Sequence, residues 1–267
     1  MYEEPYKWVE AVGNRRQYLD DQFKQGSPVV GVAYDGGILL LTVSKGTPKL
    51  YEIYDRLALG GMGHPADLEK LRFTLLEMAH VEGFNRSPSD VTGSRMVKYG
   101  IAPVIKQAFE EVFKAPFIVK IVLAELGQKA GKDSFLTVNY DGTFEEKSRC
   151  AVLAATPVIE REMVAYLEKQ PVASFDQALE VAVCTWAVGD RAQHHAQQES
   201  EGEEVSNSDS QPIDRTSLYA YLHQALVGKT LECAVLDRHV HGASKYRTIG
   251  PDELRRVLPQ DIIPLPA

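Results

Sequence analysis

Ser27 is the one side chain of this 267-residue sequence placed to act as a nucleophile. The sequence holds no Gly-x-Ser-x-Gly elbow, no phosphate loop with its lysine and no His-Glu-x-x-His pair. A serine outside such settings needs another base, and its own α-amine serves once the preceding peptide bond is cut. Gly26 before Ser27 is compatible with that cleavage, while Pro28 after it restricts the serine backbone. Two other groupings invite chemistry. His194-His195 and His239-x-His241 suggest a metal, but no carboxylate or cysteine completes either set, and solvated histidines at loop margins are expected instead. Gly61-x-Gly63-x-x-Ala66 imitates a dinucleotide fingerprint. The unit is not completed by a strand, so small residues that let a helix pack closely on a sheet are the reading kept. No metal and no cofactor is expected.

The elements that must position Ser27 begin at once. Val29 to Tyr34 and Ile38 to Leu41 are apolar runs joined by Asp35-Gly36-Gly37, the signature of a tight β-hairpin. Before it, residues 5–24 carry Trp8, Val9, Val12, Tyr18, Leu19 and Phe23 at helical spacings. After it, Lys49 to Leu59 gives two short strands, and Gly60 to Gly63 a flexible junction. Pro65 opens a helix to about Val81, and a second long helix spans Ser89 to Phe113 with a kink or a later start at Pro103. Phe117–Glu125 is a buried strand, and Ser134–Tyr140 with Phe144–Leu153 a second hairpin. Helices follow at Pro157–Lys169 and, capped by Ser174, to Val188. Beyond Asp214 come a helix at Thr216–Leu226, strands at Leu231–Leu236 and Lys245–Ile249, and a helix at Pro251–Val257. Helices arrive in consecutive pairs rather than alternating with strands, which predicts two antiparallel sheets between helical layers.

Between about residues 195 and 214 the sequence is nearly free of apolar side chains, which predicts a disordered acidic insertion, a solvated loop or a docking or solubilising segment. The net charge of −8 argues against a nucleic-acid binder, and no apolar run approaches the length of a bilayer span. Met1 to Pro5 lacks the features of a signal peptide, and three scattered cysteines do not make a disulfide framework. A cytoplasmic location, with no membrane partner, is expected.

Lys24-Gln25-Gly26-Ser27 through Gly36-Gly37, Pro48-Lys49-Leu50, Tyr54-Asp55-Arg56, Asp90-Val91-Thr92-Gly93, Tyr140-Asp141-Gly142, Ala178 to Val183 and Leu231 to Asp237 together resemble the α-type subunits of the bacterial proteasome core particle, of the actinobacterial kind. The resemblance implies an α+β chain folded as a four-layer αββα sandwich, the N-terminal-nucleophile hydrolase fold. It implies residues 1–24 as a helix and gate segment and 25–267 as one domain. Catalytic β subunits of that family have threonine at the Ser27 position, aspartate at the Val43 position and lysine at the Lys49 position. Two of the three are absent here, which implies a structural, gating subunit rather than an enzyme. It also implies a homo-oligomeric ring of seven, partner β subunits, a ring-shaped ATPase activator and unfolded protein substrates. Lys49 and Gly26 would then line the activator-docking pocket, and Met1, Tyr2, Glu3, Glu4, Pro5 and Tyr6 the gate. The bland reading of Lys49 is a solvated strand-edge lysine. The competing function is a self-compartmentalised peptidase with Ser27 exposed by autolysis and Lys49 beside it.

Overall fold

The computed structural model describes residues 5–111, 113–129, 131–201, 214–259 and 262, with the backbone alone at 5, 6, 200 and 201. The Asp35-Gly36 turn forms as the sequence predicts, pairing β1 (Val29–Tyr34) with β2 (Gly37–Ser44) in antiparallel register from Val29↔Thr42 to Tyr34↔Gly37. Every residue of β2 is buried. Alternation along a strand sends neighbouring side chains to opposite faces, so a strand buried throughout needs an apolar partner on each side. Ile38 and Leu40 pack into the space between the two sheets, and Leu39, Leu41 and Val43 pack against helices.

Those two demands produce four layers. One sheet has the order β10-β9-β2-β1-β8, the other β3-β4-β5-β6-β7, and every pairing in both is antiparallel. The remaining strands are β3 (Leu50–Tyr54), β4 (Leu57–Gly63), β5 (Val119–Glu125), β6 (Ser134–Val138), β7 (Phe144–Lys147), β8 (Cys150–Leu153), β9 (Thr230–Asp237) and β10 (Tyr246–Thr248). Helix α2 (Pro65–Asn85), with α3 (Gly93–Met96) and α4 (Ala102–Glu110), covers the second sheet through Leu68, Leu71, Leu75, Met96 and Ile105. Helices α5 (Pro157–Glu168), α6 (Phe175–Glu201), α7 (Arg215–Ala225) and α8 (Pro251–Val257) cover the first. Between the sheets, Val29, Ile38 and Leu40 meet Met62, Val122 and Phe135. Lys120, only 4% exposed, ties the sheets by donating to the carbonyls of Ala154 at 2.7 Å and Ala155 at 3.2 Å. The expected αββα sandwich is the observed architecture.

Helix α1 (Pro5–Phe23) closes one end of the sandwich. Leu19 and Phe23 are fully buried in the inter-sheet core, and Phe23 stacks on Tyr140 at 5.7 Å between ring centroids. The Arg15 guanidinium meets the carbonyl oxygens of Ala108, Phe109, Glu111 and Lys114 at 2.8–3.0 Å. It places a cation at the C-terminus of α4, where the exposed carbonyls concentrate negative charge.

Several sequence expectations change. The helix expected over Ser89–Phe113 is instead a 3₁₀ turn at Pro88–Asp90, the short α3, a wide π turn at Val97–Ile101 and α4 with Pro103 in its first turn. Gly60, Gly61 and Gly63 are not a flexible junction but the end of β4; a Cβ on Gly61 would sit 2.2 Å from Leu68, so the glycine lets α2 lie close to the sheet. Phe144–Leu153 is two strands rather than one: the charged β7 is the exposed edge of one sheet, and after Ser148-Arg149 the apolar β8 crosses to pair with β1 of the other. Helix α6 continues past Val188 to Glu201, so residues 195–201 of the expected disordered insertion are helical and His194-His195 lie within a helix rather than at a loop margin. Residues 202–213 lie outside the described residues, and Asp214 caps α7 through the Ser217 N–H at 2.8 Å. Met1, Tyr2, Glu3 and Glu4 of the expected gate also lie outside them, while Pro5 and Tyr6 begin α1.

Gly31 of β1 faces Phe135 of the opposite sheet, and a Cβ there would fall 2.8 Å from the ring. Gly31→Ala is therefore expected to cost about 1–3 kcal/mol by overpacking. Phe135→Ala is expected to cost about 3–5 kcal/mol through the cavity it leaves. In urea denaturation the double variant should lose less than the sum of the singles by at least about 0.5 kcal/mol. Strict additivity would show that the two do not press on one another.

Candidate functional site

Ser27, Val43 and Lys49, separate in sequence, come together around one cavity of about 390 Å³. One wall is the segment 24–27 that joins α1 to β1. The floor is the end of β2 with Val43, and Lys45, Thr47 and Lys49 form the rim leading into β3. The opposite wall is α6, with Asp190, Gln193, His194 and Gln197, and Lys229 stands at the mouth. Lys49 is held there because its backbone N–H donates to Glu232 at 2.9 Å and its Nζ to the Val43 carbonyl at 3.2 Å. Burial pushes the Lys49 ammonium below the usual lysine range; Glu232 opposes that shift, and Lys229 and Lys45 reinforce it.

The hydroxyl of Ser27 is committed elsewhere. Its Oγ accepts a hydrogen bond from the indole Nε1 of the fully buried Trp186 at 3.0 Å. In the intact chain the Ser27 nitrogen is an amide, and only cleavage after Gly26 would turn it into a base. Val43 presents an apolar side chain, and the Lys49 ammonium meets that residue's carbonyl oxygen, with no carboxylate from this position to orient it. Ser27, Val43 and Lys49 thus share one cavity, to which the Val43 position offers no carboxylate.

The cavity is better suited to holding an anion. Four lysines line it against one carboxylate, Asp190. That aspartate is already engaged, accepting from Tyr221 Oη at 2.8 Å with His194 Nε2 at 3.6 Å. Lys24 is paired with Asp21 at 2.7 Å, so the potential is set by Lys45, Lys49 and Lys229 against the nearby Glu232. A chain terminus or an acidic side chain would gain charge-assisted hydrogen bonds there. Gly26 lets this wall lie close to the inter-sheet core, since a Cβ there would fall 2.4 Å from the Met62 methyl.

Sequence reasoning found Gly26, Ser27, Val43 and Lys49 but missed Trp186, Asp190, Gln193 and Gln197. Trp186 lies within the helix already expected to Val188; the signal for the other three lay in the Ala- and Gln-rich stretch after Gly189, which extends α6 alongside the segment 24–27. Among the described residues, no three histidine, cysteine or carboxylate side chains cluster as metal ligands. His239 and His241 lie in the loop after β9. None of the described helices is long and apolar enough to cross a membrane.

No family model matches the chain. It is similar to the protein named proteasome subunit alpha of Saccharopolyspora erythraea, 34% identical over 131 residues, which is 48% of this chain and 50% of that protein. To the proteasome subunit alpha of Actinosynnema mirum it is 29% identical over 180 residues, 66% of each chain. To that of Frankia casuarinae it is 30% identical over 182 residues, 67% of this chain and 74% of the relative. The match thus spans about half the length of the first of these relatives and about three quarters of the last.

The lowered proton affinity of Lys49 sets a pH dependence. Between its folded-state pKa and the ordinary value of 10.5 the unfolded chain binds more protons, so this group's contribution to stability rises with pH across that window. Below it the buried charge is a constant penalty. Lys49→Met is expected to melt higher than the parent at pH 7, with the difference shrinking as pH approaches 10.5. A difference in melting temperature that is flat or grows with pH would contradict the assignment.

Proposed function

This chain belongs to the proteasome α-subunit family, and we propose that it is a non-catalytic ring subunit whose lysine pocket docks the C-terminal tail of a ring-shaped ATPase activator. In this reading seven copies form an outer ring on proteolytic β subunits, and the N-terminal residues Met1 to Tyr6 restrict the passage of unfolded protein chains. Containment is the physical purpose, since peptidase sites in a closed chamber do not meet folded proteins outside it.

The observation that carries the reading is the condition of the Ser27–Val43–Lys49 cavity. The serine accepts from Trp186, the position that would need an acid is valine, and the lysine lines an open basic pocket. The anchoring of α1 also supports it. Leu19, Phe23 and the Arg15 contacts make residues before Ser27 part of the core, so cutting at Gly26–Ser27 would remove two fully buried side chains. Removing each by truncation costs on the order of 2–5 kcal/mol. The docking role follows from electrostatics: a tail's terminal carboxylate pairs with the Lys49 ammonium, with Lys45 and Lys229 raising the local potential.

Coexpression with β subunits and an activating ATPase tests the proposal. Lys49→Ala is expected to assemble into particles of unchanged native mass and to lose at least tenfold of the ATPase-stimulated degradation of an unfolded protein. Unchanged stimulation would remove the docking role. Intact mass of the purified chain is the second check: a chain retaining residues 1–26 is expected, whereas one beginning at Ser27 that hydrolyses peptides alone would restore the peptidase reading.

A further inference from the structure

Lys120 and Lys49 are both drawn out of bulk water, but their amines are held in different ways. Lys120 Nζ is sealed between the sheets, donating to the carbonyls of Ala154 and Ala155, with Glu160 at 3.4 Å. These acceptors match the protons of an ammonium, so no lone pair is offered. Lys49 Nζ makes one hydrogen bond among the described residues, to the Val43 carbonyl, and lines a cavity of about 390 Å³. A neutral amine keeping that bond still has its lone pair for a molecule in the cavity. The surroundings favour the neutral form: burial acts first, and Lys229 and Lys45 act in the same sense against Glu232 and Asp190. Desolvation and neighbouring cations are what make a lysine amine nucleophilic.

The geometry points to Lys49 as a covalent modification site, acylated by a small anionic donor of the acyl phosphate class that Lys45 and Lys229 draw into the cavity. A cleft lined by one sign of charge raises the local concentration of such an anion about tenfold or more. The same two lysines thus gather the donor and free the amine that attacks it. In the step, the Lys49 nitrogen forms a bond to the acyl carbon as the carbon–oxygen bond to phosphate breaks. Phosphate leaves with the electron pair and takes the proton that the nitrogen sheds. The amide product keeps one N–H, enough for the Val43 carbonyl, and a short acyl group is small against the cavity. Acylation turns a cation into a neutral group. Its consequence rests on the docking reading: the tail's carboxylate loses its partner, and the pocket is switched off.

The test treats the purified full-length chain with acetyl phosphate at mildly alkaline pH and, separately, with the uncharged donor acetic anhydride. Peptide mass spectrometry follows the occupancy of each lysine with time. Acetyl phosphate is expected to modify Lys49 at least about tenfold faster than the exposed Lys98 and Lys169, and to leave Lys120 untouched. That preference is expected to fall at least about threefold with acetic anhydride. Lys45→Gln or Lys229→Gln should lower it by a similar factor with acetyl phosphate. Lys49 modified no faster than Lys98 and Lys169, the same preference for both donors, or a preference that survives both lysine replacements overturns the proposal. The consequence is read on particles assembled with β subunits and the ATPase. Stimulated degradation is expected to fall in step with Lys49 occupancy, while unstimulated peptide hydrolysis stays constant. Selective acylation with undiminished stimulation keeps the modification site and overturns the docking reading.

Discussion

Burial of the β1–β2 hairpin on both faces is the constraint from which the rest of the structure follows. A sheet with one apolar face is satisfied by a single layer, but β2 has none of its residues exposed and requires two. One requirement is met by a second sheet carrying Met62, Val122 and Phe135, the other by α5, α6 and α7. The second sheet has the same problem on its far side, and α2 to α4 solve it. At roughly 25 cal/mol per Å² of apolar area removed from water, such layered burial is the dominant favourable contribution to folding.

The pocket is a by-product of the same arrangement. Where α1 ends and β1 begins, the chain turns through Gln25-Gly26-Ser27, and that turn lies beside α6 because α6 must cover Val30, Leu39 and Leu41. The carbonyls of Lys24 and Gly26 cannot join a strand ladder there, so the glutamines of α6 supply their hydrogen bonds. Lysines gather at the mouth although the chain as a whole carries a net charge of −8. A positive cavity on an acidic protein is a local field, felt over roughly 8–10 Å at physiological ionic strength, and so it selects for what is threaded into it.

Much of this was legible in the residues. The hairpin, the buried β5, the Pro157 and Pro251 helix starts and the paired helices follow from alternation, turn glycines and capping chemistry. What escaped was tertiary in origin. The Ser89–Phe113 pattern has helical periodicity, but Thr92 caps a new start and the π turn at Val97–Ile101 brings Gly100 against Met78, a contact no local signal encodes. Helix α6 was expected to stop at Val188 because apolar periodicity ends there, yet Gly189 is needed for the approach to Met163 and the polar residues beyond it face the pocket. The site was legible to the extent that Ser27, Val43 and Lys49 do share one cavity. Its opposing wall was not, because glutamines bonded to backbone look in a sequence like any solvated helix face.

The crossing from β7 to β8 bears on how the chain is made. Strands β3 to β7 form a contiguous stretch and can zip together as soon as that stretch exists. The first sheet has no such freedom: Val29 waits for Leu153 and Gly37 for Asp237. During synthesis the hairpin therefore holds out a two-sided greasy ribbon with both edges bare while most of the polypeptide is still to come. Long-range pairing of this kind is slow, and an unpaired ribbon is the surface on which neighbouring nascent chains adhere. For this architecture the vulnerable interval is the one between the birth of the hairpin and the arrival of β9, the strand that closes its open side.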